Sequence, residues 1–444
     1  MPTLPLDYIK EIQDIFGADT ESYQQLMTQP PYKGLCVNRL KAQPETLLTQ
    51  LPFATEKSPF YRDGFYITGN ADGIGKHPCH QAGAFYVQEP SATSAVTLLD
   101  VQSGDTVLDL CAAPGGKSAQ IASCLHGTGL LWSNEIVRNR AQILLSNFER
   151  MGVREGVVSS CYPETLCERL GGFFDKVLVD APCSGEGMFR KNPEAITEWS
   201  REHVKACAER QLSILQSAAK AVKVGGTLVY STCTFSREEN EGVIQAFLSA
   251  HPDFEAVPIQ EPFGRSTGVP CGVRITPMEG GEGHFAAKLR RITAEEECFP
   301  AMFQMPSKPD KKMPEILAAL SDILTVIPQE RLYLMNDKVF FLPQQYPDST
   351  GLGVIRAGVF AGEVKKNRFE PSHALFMATP PSQCRRVLSL SVGDTRVGDF
   401  LQGLEIDCDT ENGYTAVTVE GYMLGFGKCS GGRLKNKYPK GLRQ

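Results

Sequence analysis

Between residues 77 and 292 the chain alternates apolar runs of strand length with runs of helix length, and nothing else in it constrains the fold as strongly. Thr106-Val-Leu-Asp-Leu110 is a largely apolar run bounded by Gly104 and by the turn Ala112-Ala-Pro-Gly-Gly116. A helix is predicted over 117–125, a strand over Leu130–Asn134 and a helix over Arg138–Met151. Phe174–Val179 and Gly226–Tyr230 read as two further buried strands, and Gly283–Leu289 as a closing one. Strands that lack a polar face need cover on both sides, and the intervening helices supply it. The expected fold is therefore α/β, a doubly wound, Rossmann-like parallel sheet.

The flanking segments differ in character. Residues 1–76 read as a small α+β domain, with a helix over 7–16 and strands near 34–40 and 64–67. After the 77–292 domain, residues 293–382 begin with a charged, proline-containing linker at Ser307–Lys312 and continue as a middle α+β domain. There Asn336-Asp337 separates two apolar runs as a hairpin turn should. Residues 383–444 read as β-rich, with Glu420-Gly421 as a second tight turn.

Composition narrows the class. A 444-residue chain with 42% hydrophobic and 22% charged residues can bury a sizeable core. The amino terminus carries acidic residues and no long apolar run, and no segment reaches the roughly 18 apolar residues of a spanning helix. A cytoplasmic protein with no membrane contact is expected. Its 14 cysteines include no Cys-x-x-Cys pair, which fits free thiols better than disulfides or a zinc ribbon. His77-Pro-Cys-His80 could offer metal ligands, but no second cluster completes a site, so no metal is expected. The net charge of −6 conceals six basic and no acidic residues between Lys428 and Gln444. That segment either meets phosphates or is a solvated, mobile terminus.

Three motifs lie just past strand ends, where open α/β sheets bind ligands. The first is Asp109-Leu-Cys-Ala-Ala-Pro-Gly-Gly-Lys117, a glycine turn leading into a helix amino terminus. Glu135 ends the next strand, 20 residues after Gly115, where an acidic side chain can take the ribose hydroxyls of an adenine nucleoside. The other two are Asp180-Ala-Pro-Cys-Ser-Gly185 and Ser231-Thr-Cys-Thr-Phe235. One cysteine among 14 is by default a small buried hydrophobe. Two on one sheet edge, each flanked by turn-forming residues, suggest thiol chemistry.

Cytosine gives such a thiol a task. Its carbon 5 is a poor nucleophile until a thiolate adds at carbon 6 and makes an enamine-like ring. A carboxyl such as Asp180 could assist by protonating or hydrogen-bonding ring nitrogen 3. The thiol must first be ionised against an ordinary pKa of about 8.5. Later a base must remove the carbon 5 proton so that the sulfur can leave.

On Pro78–Leu99 (with Phe85-Tyr-Val-Gln-Glu-Pro-Ser-Ala92), 109–117, Asp180–Lys191, Ser231–Glu241 and Gly281–Leu289, the chain resembles a known family. It is that of the bacterial 16S ribosomal RNA 5-methylcytosine methyltransferases of the Sun type, closest to the F-type enzymes. Val354–Gly362 and Gly421–Leu442 resemble that family's carboxyl-terminal extension, which ends in a PUA-like RNA-binding domain. The resemblance implies S-adenosylmethionine as cofactor and ribosomal RNA, within the small subunit, as substrate; no obligate protein partner is inferred. It implies Cys233 as nucleophile, Cys183 as the group that assists release of the product, and Asp180 against the cytosine with Lys117 beside it. Cys111, Ala112, Ala113, Pro114, Gly115, Gly116 and Lys117 would form the cofactor loop, with Glu135 on the ribose, Arg140 in support and Asp180 at its edge. One departure stands out. The family often carries an acidic residue near the end of the third strand to hold the adenine amino group, whereas Val157-Val-Ser-Ser-Cys161 offers only hydroxyls, a thiol and backbone.

Three rival readings remain at this level. A DNA cytosine methyltransferase would use Cys183 as nucleophile and give Cys233 no task. A nicotinamide-dependent oxidoreductase could share the glycine turn and Glu135 but needs neither thiol. A silent RNA-binding or assembly factor would not need Asp180, Cys183 and Cys233 together.

Overall fold

A computed structural model describes residues 4–294, 300–308, 310–366 and 368–443, and among them the strands form four sheets. The central sheet contains β1 (Thr106–Asp109), β2 (Leu130–Asn134), β3 (Gly156–Ser159), β4 (Phe174–Asp180), β5 (Val222–Thr232), β6 (Gly272–Ile275), β7 (His284–Arg291) and β8 (Val354–Ala357). Their order is β6-β7-β5-β4-β1-β2-β3-β8. Strands β1 to β5 run parallel to one another, and β6, β7 and β8 pair antiparallel at the two sides. The chain winds outward from β1 through β2 and β3, then returns to β4 on the other side of β1. The crevice past the carboxyl ends of β1 and β4 is therefore the topological switch point, where such sheets bind ligands.

Burial explains why the strands read as unbroken apolar runs. Successive residues point to opposite faces, and both faces carry a core. Val107, Leu131, Val158 and Leu178 enter one, while Leu108, Trp132, Val157 and Val177 enter the other. Helices α1 (Gly116–Leu125) and α2 (Arg138–Met151) lie where the pattern predicts them, and α2 stops at Gly152 with φ 75°. One long helix escaped the sequence reading: α3 (Arg201–Ala221) begins at Ser200, whose hydroxyl accepts the His203 N–H at 3.1 Å.

The amino-terminal sheet has the order 54–57, 64–68, 34–37, 85–87, so it takes in Phe85–Val87, past the boundary expected near 76. Beyond the central sheet, the hairpin Leu332–Met335/Lys338–Phe341 turns through Asn336 and Asp337 at φ 50° and 65°. Both central residues have the positive φ of a tight hairpin turn. The last sheet joins Val387–Leu390, parallel, to the hairpin Gly413–Val419/Tyr422–Ser430. Arg433–Asn436 then pairs with the second arm of that hairpin. The basic carboxyl-terminal segment is thus not a loose end. Leu434 is fully buried and Tyr438 is 3% exposed, because strand pairing points every second residue inward while Lys428, Arg433, Lys435 and Lys437 stay outside.

Among the described residues no helix is long and apolar enough to cross a membrane.

Candidate active site

The chain turns sharply after each of β1, β4 and β5, and these turns meet at the crevice. Gly115 has φ 115°, a conformation that favours glycine, and a Cβ there would press within 3.0 Å of Leu144. The loop over 111–116 is braced from α2. Arg140 Nη2 donates to the Ala113 carbonyl at 3.0 Å, and Asn147 Nδ2 donates to the Pro114 carbonyl at 2.8 Å. Arg140 also pairs with Glu135 at 3.3 Å, while the other Glu135 oxygen accepts the Val137 N–H at 2.9 Å.

Three carboxylates, Asp109, Glu135 and Asp180, surround the loop. Burial and the charge of all three push the Cys111 thiol well up. Asp109 is fully buried. One of its oxygens accepts the Ser118 hydroxyl at 2.6 Å, and the other has no protein partner. Burial, with Asp180 and Glu135 nearby, raises its pKa to about 7. A helix amino terminus beside an acidic rim suits a ligand with a carboxylate at one end, a positive centre, and ribose hydroxyls. S-adenosylmethionine has all three, so these residues fit it.

On the other side of the crevice, Cys183 Sγ lies 3.2 Å from Cys233 Sγ and accepts the Cys233 N–H at 3.4 Å. The sulfur–sulfur hydrogen bond with Cys233, together with burial and the nearby Cys233 charge, holds the Cys183 thiol well above its ordinary pKa, against the Cys233 N–H, which favours the thiolate. The two loops are stitched together below the sulfurs. Gly187 donates its N–H to the Cys233 carbonyl at 2.9 Å, and a Cβ on Gly187 would meet the Gly283 carbonyl at 2.5 Å. Glu239 Oε2 accepts the Ser184 N–H and the Gln211 amide, and Asn240 ties Thr232 to the Thr234 carbonyl. Glu186 accepts the Phe235 N–H and the Trp199 indole, each at 2.8 Å.

Asp180 sits between the halves. Its Oδ2 accepts Lys117 Nζ at 2.8 Å and its Oδ1 accepts the Ser231 hydroxyl at 2.8 Å. Burial alone would raise this carboxyl, but the charge of Lys117 and the hydrogen bonds from Lys117 and Ser231 hold it below the usual range. In this arrangement Asp180 favours its carboxylate form. Burial opposes the Lys117 charge, yet Asp180 outweighs it and raises the ammonium pKa. A second Lys117 contact runs to His284 Nε2 at 3.3 Å.

The sequence reading brought together the cofactor loop, Glu135, Arg140, Asp180, Lys117, Cys183 and Cys233, and all of them line this crevice or brace it. It missed His284, Glu186, Glu239, Asn240 and Gln211. Glu186, Glu239 and Asn240 follow a motif within a few residues and Gln211 lies on α3, but their partners come from other segments, so no spacing announces them. The adenine question stays with the loop after β3. There Ser159 Oγ donates to Asn134 Oδ1 at 2.8 Å and Ser160 Oγ donates to the Ile136 carbonyl at 3.1 Å. At the opposite end of the molecule His77 Nδ1 accepts the Cys79 N–H at 3.3 Å, and His80 Nδ1 contacts the Gly75 carbonyl at 2.9 Å, as a locally satisfied loop would have it.

Family models cover most of the chain. Residues 4–90 match the N-terminal domain of 16S rRNA methyltransferase RsmF, and 96–290 match 16S rRNA methyltransferase RsmB/F. Residues 319–379 match the RsmF rRNA methyltransferase first C-terminal domain, and 387–444 the methyltransferase RsmF PUA domain. The ribosomal RNA small subunit methyltransferase F of Vibrio campbellii is 30% identical over 99% of this chain and 97% of its own length. The protein of the same name from Shewanella oneidensis is 31% identical over 93% and 91%. Among solved structures, a methyltransferase homologue from Pyrococcus horikoshii superposes with a TM-score of 0.57 at 28% identity, over 64% of this chain and 93% of its own. NSun6 from the same organism, solved with SFG, superposes at 0.58 and 21% identity over 65% and 99%, a likeness of fold. With relatives this similar along nearly its whole length, and a crevice that suits S-adenosylmethionine beside two opposed thiols, the chain belongs to the RsmF family of S-adenosylmethionine-dependent rRNA methyltransferases.

Proposed function

We propose that this enzyme methylates carbon 5 of a cytosine in small-subunit ribosomal RNA through a covalent bond between Cys233 and carbon 6 of the base. The observation that carries the reading is the pair of sulfurs 3.2 Å apart beside the Lys117–Asp180 pair, at the mouth of a crevice that suits the methyl donor. S-adenosylmethionine, when bound, supplies the methyl group. Cys233 attacks and Cys183 assists release, the roles that the family resemblance gives to the cysteines of these two motifs. Asp180, as a carboxylate, accepts from the exocyclic amino group of cytosine, and the Lys117 ammonium beside it donates toward the ring. The cofactor loop over 111–117, Glu135 and Arg140 hold the nucleoside. The target base must leave its helix or be unpaired to offer carbon 6 to these sulfurs.

We further propose the division 1–76, 77–292, 293–382 and 383–444, with strand 85–87 returning to the first sheet and strand 354–357 to the central one; the last unit, PUA-like, presents its basic outer face to RNA phosphates in the cytoplasm.

The test is a denaturing gel for a protein–RNA adduct, with RNA from cells lacking the enzyme and S-adenosylmethionine present. The adduct should accumulate in Cys183→Ala and vanish in Cys233→Ala. The reverse pattern would exchange the two roles, as in the DNA-type reading.

A further inference from the structure

The strand β7 carries one histidine at the edge of the crevice, and its surroundings define its protonation. Phe285 pairs with Thr232 across β7 and β5, so His284 stands next in register, beside Cys233. The side chain is 5% exposed. Its Nε2 lies 3.3 Å from Lys117 Nζ. An ammonium has three hydrogens to donate and cannot accept, so Nε2 must be the accepting nitrogen and the ring proton must sit on Nδ1. Burial and the Lys117 charge depress the ring's pKa to about 4, which keeps it neutral and able to accept.

Counting hydrogens on Lys117 then gives the consequence. One goes to Asp180 Oδ2 and one to His284 Nε2. Among the described residues the third has no partner, and with two bonds fixing the ammonium its direction is fixed as well. The side chains of Lys117 and Asp180 are 10% and 31% exposed, so a base seated on Asp180 would lie within reach of this hydrogen.

We propose that His284 is a positioning residue for the methyl transfer, holding the Lys117 ammonium so that its remaining hydrogen faces the ring of the target pyrimidine. This rests on the reading of Cys233 as nucleophile and of Asp180 and Lys117 as the groups that meet the base. Without an acceptor at position 284 the ammonium swings about Asp180, and the hydrogen bond to the ring weakens as carbon 6 is attacked. Binding of RNA, which rests on many contacts, does not change.

The experiment compares His284→Leu, which removes the acceptor, with His284→Gln, which can offer a side-chain oxygen to Lys117. Single-turnover methylation of hypomethylated small subunits is measured at saturating S-adenosylmethionine, with thermal midpoints and RNA affinity alongside. The expected result is a loss of about tenfold in rate for His284→Leu, the scale of one charge-assisted hydrogen bond. RNA affinity should stay within twofold, and His284→Gln should recover most of the rate. A His284→Leu enzyme as fast as wild type overturns the proposal. So does a His284→Gln enzyme as slow as His284→Leu, or a loss of rate that simply follows a loss of thermal midpoint. Cys233→Ala, run in parallel, separates the two layers. If it methylates, the nucleophile assignment fails; if it is dead while His284→Leu is unimpaired, only the role of His284 fails.

Discussion

Arg190→Met should loosen the amino-terminal helices from the catalytic strands. The Arg190 and Glu282 side chains are each 2% exposed and meet through two hydrogen bonds of 2.8 Å. Arg190 also donates to the Leu26 carbonyl at 2.9 Å and lies over the Tyr32 ring, 5.2 Å from its centroid. Solvent screens almost none of this. Substitution leaves a buried carboxylate with only the Tyr32 N–H, which costs about 3–5 kcal/mol. A cost of that size is a large part of the roughly 5–15 kcal/mol that holds a typical domain folded. Trp199 packs in the same cluster as Tyr8, Phe189 and Met27, and the other tryptophan, Trp132, lies in the central sheet. In a Trp132→Phe background, Trp199 fluorescence during urea unfolding therefore reports this unit. Arg190→Met should lower its stability by about 3–5 kcal/mol, and Arg190→Met/Glu282→Leu should recover most of the loss, since no charge is then stranded. A single variant that costs less than about 1 kcal/mol, or a double variant no better than the single, would refute the reasoning.

Two further outcomes are expected. Asp109 and Glu186, both raised to about 7 by burial first and by neighbouring carboxylates second, keep in the folded state a proton that the unfolded chain loses near pH 4. Their contribution is therefore complete below pH 4 and is lost as pH rises to 7, at about 1.4 kcal/mol per pH unit for each group. Buried His80 and His284, lowered to about 4, act in the opposite sense below 6.5, so the effect is read as a difference: thermal midpoints of Asp109→Asn should fall less than wild type between pH 5 and 7.5, and parallel curves would contradict it. Replacing Lys435, Lys437 and Lys440 together by alanine should weaken RNA binding and flatten its salt dependence without unfolding the last sheet, because all three are exposed. An unchanged salt slope would mean that this face does not meet phosphate.

The sheet was legible because its strands are buried on both faces, so that apolar runs, glycine turns and polar motifs follow one another in plain order. The tight turns at Asn336-Asp337 and Glu420-Gly421 were legible for a local reason, since both need positive φ. Cys183, Cys233 and Asp180 could be singled out because a parallel strand delivers whatever follows it to one edge. What escaped depends on partners far along the chain. His284 reads as one polar residue in an apolar strand until β7 is known to run beside β5. The ionisation of Asp180 depends on Lys117, 63 residues away, and cannot be read from either motif alone. The strand at Arg433–Asn436 was masked by its arginine and lysine, whose charges suit a solvated or a phosphate-binding end alike, although Leu434 between them is fully buried.

Strand β8 joins the central sheet from about 200 residues downstream, pairing Val354 with Ser159 and Ala357 with Val157. During synthesis β3 leaves the ribosome long before its neighbour exists. At several residues per second, the nascent chain carries an open sheet edge for tens of seconds. The carboxyl-terminal extension therefore does more than carry the last two sheets. It closes the methyltransferase fold, and an enzyme truncated before residue 354 should be prone to self-association even with every active-site residue in place.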